Sequence, residues 1–220
     1  MLESLKDEIW RANQELAASG LVVGTSGNVS GRDPESGLFV IKPSGVGFAE
    51  LLPEHMSVVG PDGAQVEGPM KPSVDTLSHA YVYRARADVQ GVVHTHSRYA
   101  TVFAVLGEDV PVLTTTHAAL FGAPIPVSNY AVIGEEEIGR EIVDNVGDGT
   151  AVLIRSHGVF SIGSDWQRAL RSAQYVEECA EVAHLARQVR EPQSLDPETV
   201  AASREWYLHG YGQRAILSGS

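Results

Sequence analysis

A single cysteine, Cys179, is all the thiol this 220-residue chain has, so no internal disulfide can form, which fits a reducing compartment. Nowhere does an apolar run approach the roughly 18 residues a membrane-spanning helix needs. The first twenty residues, MLESLKDEIWRANQELAASG, carry Glu3, Asp7 and Glu8 where a secretory leader would be basic and then apolar. Basic residues are scarce: 16 Lys plus Arg stand against 28 Asp plus Glu, a formal charge of −12. They form no cluster, so neither nucleic acid nor a membrane is an expected partner. Internal repeats, low-complexity tracts and charge blocks are also missing, and nothing marks a linker. The expectation is a soluble, cytoplasmic protein with residues 1–220 in one domain.

What is present is enough apolar side chain, 43% of residues, to bury a core. Leu2, Leu5, Ile9, Ala12 and Leu16 recur at spacings of three and four, which predicts a helix stopped by Gly20. From 21 to 68 the texture changes to short β-like runs separated by DPESG and PDG turns. Residues 75–87 read as helical and GVVHTH at 91–96 as a buried strand, with Ser97 placed to cap a helix through Leu106. VPVLTTTHAALFGAPIPV suggests strands and turns, EEEIGREIVDNV a helix, and AVLIRSHGVFSIG two strands meeting near His157-Gly158. A long helix is expected from Trp166 to Arg190, opened by a Ser164/Gln167 capping box, and a last one from Pro197 to His209. Clustered early hairpins with later helices favour layered α+β packing over regular βαβ alternation.

His94-Thr95-His96 is the sharpest local feature. On a strand, residues i and i+2 point the same way, so both imidazoles project from one face. Two neutral imidazoles so placed suit a borderline metal such as Zn²⁺; two polar residues at a strand end is the plainer reading. His157, ending the apolar run AVLI before a glycine, is a third candidate ligand. Three histidines with an open position is the catalytic rather than the closed zinc arrangement. His55, His79, His117, His184 and His209 compete, and spacing alone does not choose among them.

Small-residue loops are the second feature. GTSGNVS at 24–30, KPSG at 42–45 and KPSVDT at 71–76 offer backbone N–H groups, hydroxyls and a helix start, the makings of an anion site. Glycine and serine mostly mark turns, so each loop alone says little. Together, in a chain otherwise hostile to anions, they imply a small phosphorylated ligand. Asp75, in the first helical turn, is favoured there by the helix dipole alone, or is a metal ligand or proton-transfer group beside the histidines. Tyr211, beyond the last helix, is by itself a packing residue.

Taken together, GTSGNVSGRD, LFVIKPSGV, KPSVDTLSHAYVYR, GVVHTHSRYAT, TTTHA, LIRSHGVFSIG and the terminal YGQ resemble the class II aldolase family, in its L-ribulose-5-phosphate 4-epimerase and L-fuculose-1-phosphate aldolase branch. The resemblance implies an α/β fold, a three-layer α/β/α domain around a mostly antiparallel central sheet, and a homotetramer with active sites at subunit interfaces. It implies Zn²⁺, with Mn²⁺ or Co²⁺ as substitutes, on His94, His96 and His157, with Asp75 as a further ligand or acid/base group. It implies phosphate held by Gly27, Asn28, Ser44, Gly45, Ser73 and the Val74 backbone, helped by Lys42, and Tyr211 as a proton carrier from a neighbouring subunit. The implied activity is cleavage and re-formation of a phosphorylated ketose C3–C4 bond through a metal-stabilised enediolate.

Asp75, where fuculose-type aldolases carry glutamate, leans toward the epimerase, which is the preferred expectation; the aldolase is the alternative. Two departures pull the other way. Ala119 stands where the epimerase pattern T-H-A-D has its acid/base aspartate, and Val74 replaces one serine of S-S-D. A non-catalytic, adducin-like binding module is a further alternative, against which the retained histidines argue. A cupin would share H-x-H on a strand but is all-β, contrary to the helices predicted at 2–19 and 166–190.

Overall fold

The computed structural model describes residues 2–211. Strands β1 (Asn28–Arg32), β2 (Phe39–Ile41), β3 (Ser57–Val59), β4 (Gln65–Glu67), β5 (Gly91–Thr95), β6 (Ala151–Ile154) and β7 (Gly158–Gly163) form a seven-stranded sheet in the order β4-β3-β2-β1-β5-β7-β6. All six pairings are antiparallel. The helices are α1 (Glu3–Ala18), α2 (Thr76–Ala85), α3 (Arg98–Leu106), α4 (Thr115–Phe121), α5 (Glu137–Val146), α6 (Trp166–Val189) and α7 (Pro197–Gly210). Among the described residues no helix is long and apolar enough to cross a membrane.

Alternation along the strands builds the three layers. Phe39, Ile41, Val92, Phe160 and Ile162 face α2 and α5, packing on Ala80, Tyr83, Ile138 and Ile142. Val29, Val40, Val58 and Val93 face the other way, onto Ile9 and Leu16 of α1 and Trp166 and Leu170 of α6. The second half of α6 joins α3 over Leu153 and Val159. Buried Asn13 of α1 serves the backbone of Val29, donating to its carbonyl at 3.0 Å and accepting from its N–H at 3.0 Å. These groups lie beyond the β2 register, which ends at Ser30↔Ile41, so the side chain stands in for the missing strand.

Three local expectations are corrected. TTTHAALF is helix α4 rather than strand, because Thr114 acts as an N-cap, its Oγ1 accepting from His117 N at 3.1 Å. Helix α6 is capped by Asp165, which accepts from Arg168 N at 2.7 Å, and not by a Ser164/Gln167 box; Ser164 Oγ accepts from the Arg168 guanidinium. Ser97 occupies the N-cap position of α3 without capping it. Its role falls to Glu177 of α6, whose two carboxylate oxygens accept from Tyr99 N and Ala100 N, each at 2.9 Å.

Candidate metal centre and anion cradle

Strand period and one tight turn assemble three imidazoles. His94 lies on β5 between Asn28 of β1 and Phe160 of β7 in the sheet register. Its ring stacks on Phe160 at 4.1 Å, and its Nδ1–H donates to the Val159 carbonyl at 2.9 Å. That bond fixes the tautomer and leaves Nε2 as a lone pair. His96 follows one residue past the strand, with its Nε2 2.9 Å from His94 Nε2. His157 sits in the β6–β7 turn beside Ser156, which holds a positive φ of 59°. Gly158 is the residue that lets the turn close. A Cβ there would meet Thr95 O at 2.5 Å and His96 Cδ2 at 2.7 Å.

The ligand atoms of His94, His96 and His157 all lie within 4.8 Å of one another. His157 Nδ1 is buried with no hydrogen-bond partner. One shared proton would satisfy the His94–His96 contact but leave the third ring unserved; one cation would serve all three, so the donor set fits a divalent metal. The ionisation states agree. Burial pushes His94 down to about 3, with His96 and His157 adding repulsion against the pull of Asp75. Burial lowers His96 and His157 as well. All three are neutral near pH 7, the state in which imidazole is a ligand.

Asp75 lies at the N-cap of α2, yet its side chain caps nothing. Oδ2 accepts instead from Asn28 Nδ2 at 2.7 Å and Ser73 Oγ at 3.3 Å. Burial raises this carboxyl, but the facing imidazoles and the Asn28 amide outweigh it and hold it below its ordinary value. Lys42 is buried, donating to the Thr25 and Pro43 carbonyls at 3.3 and 3.4 Å under the face of Phe48. Burial lowers its pKa against the pull of Asp75. The loops at 42–45 and 71–73 are tied side by side by Ser44 N to Lys71 O and Ser73 N to Lys42 O, each 3.0 Å.

A cavity of about 300 Å³ collects these groups: the three histidines, Asp75, Asn28 and Lys42, with Gly27, Ser44, Gly45, Ser73 and Val74 around them. The three loops chosen on composition thus open on one space. Thr25 and Ser26 of the first loop also line it, and so does Ile133, which no sequence signal marked.

Tyr211 is elsewhere. With Thr116, Ala119, Arg171 and Trp206 it lines a separate cleft of about 770 Å³ between α4, α6 and α7. Its ring stacks on Tyr207 at 5.2 Å. Gly212 and Gln213, the rest of the terminal motif, lie outside the described residues. The competing histidines have local partners. His55 accepts from Leu52 N, His184 meets Gln188, and His209 pairs with Glu205. His117 is buried in α4 with its Nε2 3.1 Å from Ala123 O. His79 is buried behind Asp75.

The family model of the class II aldolase and adducin N-terminal domain matches residues 7–184. An L-fuculose 1-phosphate aldolase structure shares 31% identity at a TM-score of 0.88, covering 93% of this chain and 96% of its own. YgbL from Escherichia coli, a candidate aldolase/epimerase/decarboxylase, shares 28% at 0.81, covering 92% and 98%. The L-fuculose-1-phosphate aldolase of Thermus thermophilus shares 26% at 0.72, covering 86% and 98%.

Proposed function

Because the chain belongs to the class II aldolase family, we propose that residues 1–220 form one catalytic domain that cleaves a phosphorylated ketose between C3 and C4, releasing dihydroxyacetone phosphate and an aldehyde. The observation that carries this reading is the single cavity in which three neutral imidazoles, an ionised carboxylate and a buried ammonium meet. Zn²⁺ on His94, His96 and His157 would supply Lewis acidity toward a ketose carbonyl and its neighbouring hydroxyl.

The protein's own groups do the rest. Lys42, Asn28, Ser44 and Ser73, with backbone N–H groups at Gly27, Gly45 and Val74, anchor the phosphate and fix the distance from anion to reacting carbons. Ser73 and Asn28 occupy Oδ2 of Asp75, which leaves Oδ1 as the oxygen to take up and return a proton. Cleavage moves the C3–C4 electron pair onto the C2–C3 unit as the C4 hydroxyl loses its proton, and C3 is protonated afterwards. A homotetramer in which Tyr211 reaches the imidazole cavity of a neighbouring copy supplies the second proton carrier.

The aldolase reading takes precedence over the epimerase because Ala119 cannot move a proton, and because the aldolases named above are similar over nearly the whole chain. Epimerisation of L-ribulose 5-phosphate is the second reading, favoured by Asp75 at the position where the family resemblance implies glutamate in a fuculose-type aldolase. The test is a product assay with Zn²⁺ present. Dihydroxyacetone phosphate from L-fuculose 1-phosphate supports the first reading. D-xylulose 5-phosphate from L-ribulose 5-phosphate, without free fragments, supports the second. Turnover of neither, by a protein that binds one metal per chain, refutes both.

A further inference from the structure

Helix α7, which ends at Tyr211, has no buried side chain along its 14 residues. A helix without a buried face gains little from the hydrophobic effect, so other contacts hold it to the body of the protein. Most of its polar contacts are internal. Asp196 accepts from Thr199 N, Ser203 donates to the Thr199 carbonyl, and Glu205 faces His209. Among the described residues, the side-chain hydrogen bonds that leave α7 for the rest of the protein all come from Arg204.

Arg204 Nη1 donates to the Ala119 carbonyl at 2.9 Å and also to that of Leu120. Both lie in the last turn of α4, where carbonyls have no partner within their own helix. That end is also the negative pole of the helix dipole, which a guanidinium matches in charge. The aliphatic stem of the arginine lies on the residue that stops α4. Gly122 holds a positive φ of 70°, and a Cβ there would meet Arg204 Cγ and Cδ at 3.3 Å. Ala119 thus contributes through its carbonyl, although its side chain moves no proton.

Arg204, Tyr207 and Tyr211 recur at spacings of three and four, which sets them on one face of α7. Tyr207 stacks on Tyr211 at 5.2 Å, and Trp206 meets Tyr211 edge-on at 5.5 Å. These three aromatics line the cleft that Thr116 and Ala119 of α4 also line. Two helical turns, about 10 Å, separate the guanidinium's anchor from the phenol.

We propose that Arg204 is a positioning residue for Tyr211: by clamping α7 to the carbonyl end of α4 it keeps the terminal phenol at one fixed place. The catalytic duty of Tyr211 rests on the proposed function, but the clamp does not, so the two can fail separately.

The test is hydrogen–deuterium exchange of the full-length protein, read on peptides that cover α7, with kinetics alongside. Arg204→Ala is expected to speed exchange across 197–210 about 10- to 100-fold, as loss of hydrogen bonds from a charged donor implies. Peptides of α1 and β5 exchange as in wild type. Arg204→Lys, which keeps the charge at the helix end, recovers part of the protection. Co²⁺ affinity stays within about twofold of wild type, because the imidazoles line a different cavity. In turnover of L-fuculose 1-phosphate, kcat falls about tenfold in Arg204→Ala while KM holds within about threefold. An arginine that acts through the phenol costs nothing further once Tyr211→Phe has been made, whereas a merely structural one lowers kcat in either background. Unchanged α7 exchange in Arg204→Ala overturns the proposal, and so does a further tenfold loss when Arg204→Ala is added to Tyr211→Phe. If Arg204→Ala does not fold, Arg204→Gln read in the same way decides it. Absence of turnover in wild type counts against the proposed function, and the exchange result still decides the clamp.

Discussion

Gly158→Ala perturbs the imidazole cluster without removing any of its nitrogens. The added methyl would lie 2.5 Å from Thr95 O, 2.7 Å from His96 Cδ2 and 3.4 Å from His94 Cε1. The first atom belongs to the β5–β7 ladder, where Thr95 pairs with Val159, and cannot swing aside as a side chain would. Relief to ordinary contact near 3.4 Å therefore separates the turn from β5 by several tenths of an ångström and pushes the His96 ring outward. The strain of such overpacking costs about 1–3 kcal/mol of folding stability. The larger effect falls on the metal, because moving a ligand's support typically weakens binding about 10- to 100-fold. Competition of Co²⁺ against a chromophoric chelator measures the affinity, and urea unfolding of the metal-free protein measures the stability. A Gly158→Ala protein that binds Co²⁺ within about twofold of wild type would refute the reasoning that this glycine exists to seat the rings.

Asp75→Asn keeps the shape of the buried side chain but removes the proton carrier; kcat is expected to fall about 100- to 10,000-fold, read as dihydroxyacetone phosphate release. Glu177→Ala strips the acceptors from Tyr99 N and Ala100 N at the start of α3, just after His96. A loss of about 1–2 kcal/mol in chemical denaturation is expected, with weaker Co²⁺ binding because His96 leads into the loosened turn. Acid sensitivity follows from His79 and His117, both buried and pushed down to about 4 by burial. Their unfolded forms take up protons near pH 6.5 while the folded forms do not, so stability is full above that value and falls as pH drops toward 4. Each contributes on the order of 3 kcal/mol, and urea midpoints of the metal-free protein at about pH 7, 6 and 5 should descend accordingly.

His94 and His96 were legible because a two-residue spacing on a strand has one geometric meaning, and Val92 and Val93 on opposite faces bear that period out. His157 could be suspected from its place at a strand end but not selected, since its approach to β5 depends on a turn closed by a residue without a side chain. The threonines before His117 misled because β-branched residues read as strand, whereas here one hydroxyl serves as a helix cap. The bond between Ser30 of β1 and His79 of α2 was not legible at all. The two are 49 positions apart, and a buried serine and histidine have no signature until the sheet and helix are set side by side.

The same logic bears on the missing acid. Ala119 and Tyr211 line one cleft, and the imidazoles and Asp75 another. A single copy therefore brings one carboxylate to its imidazole cavity and keeps its terminal phenol at a different place. A retro-aldol cleavage moves two protons, one off the C4 hydroxyl and one onto C3, on opposite sides of the breaking bond. One buried carboxylate anchored through Oδ2 cannot serve both sides. The proposed assembly, which brings a second copy's Tyr211 cleft against the first copy's cavity, is what makes the proton inventory sufficient, and an alanine at 119 makes that phenol the harder of the two to do without.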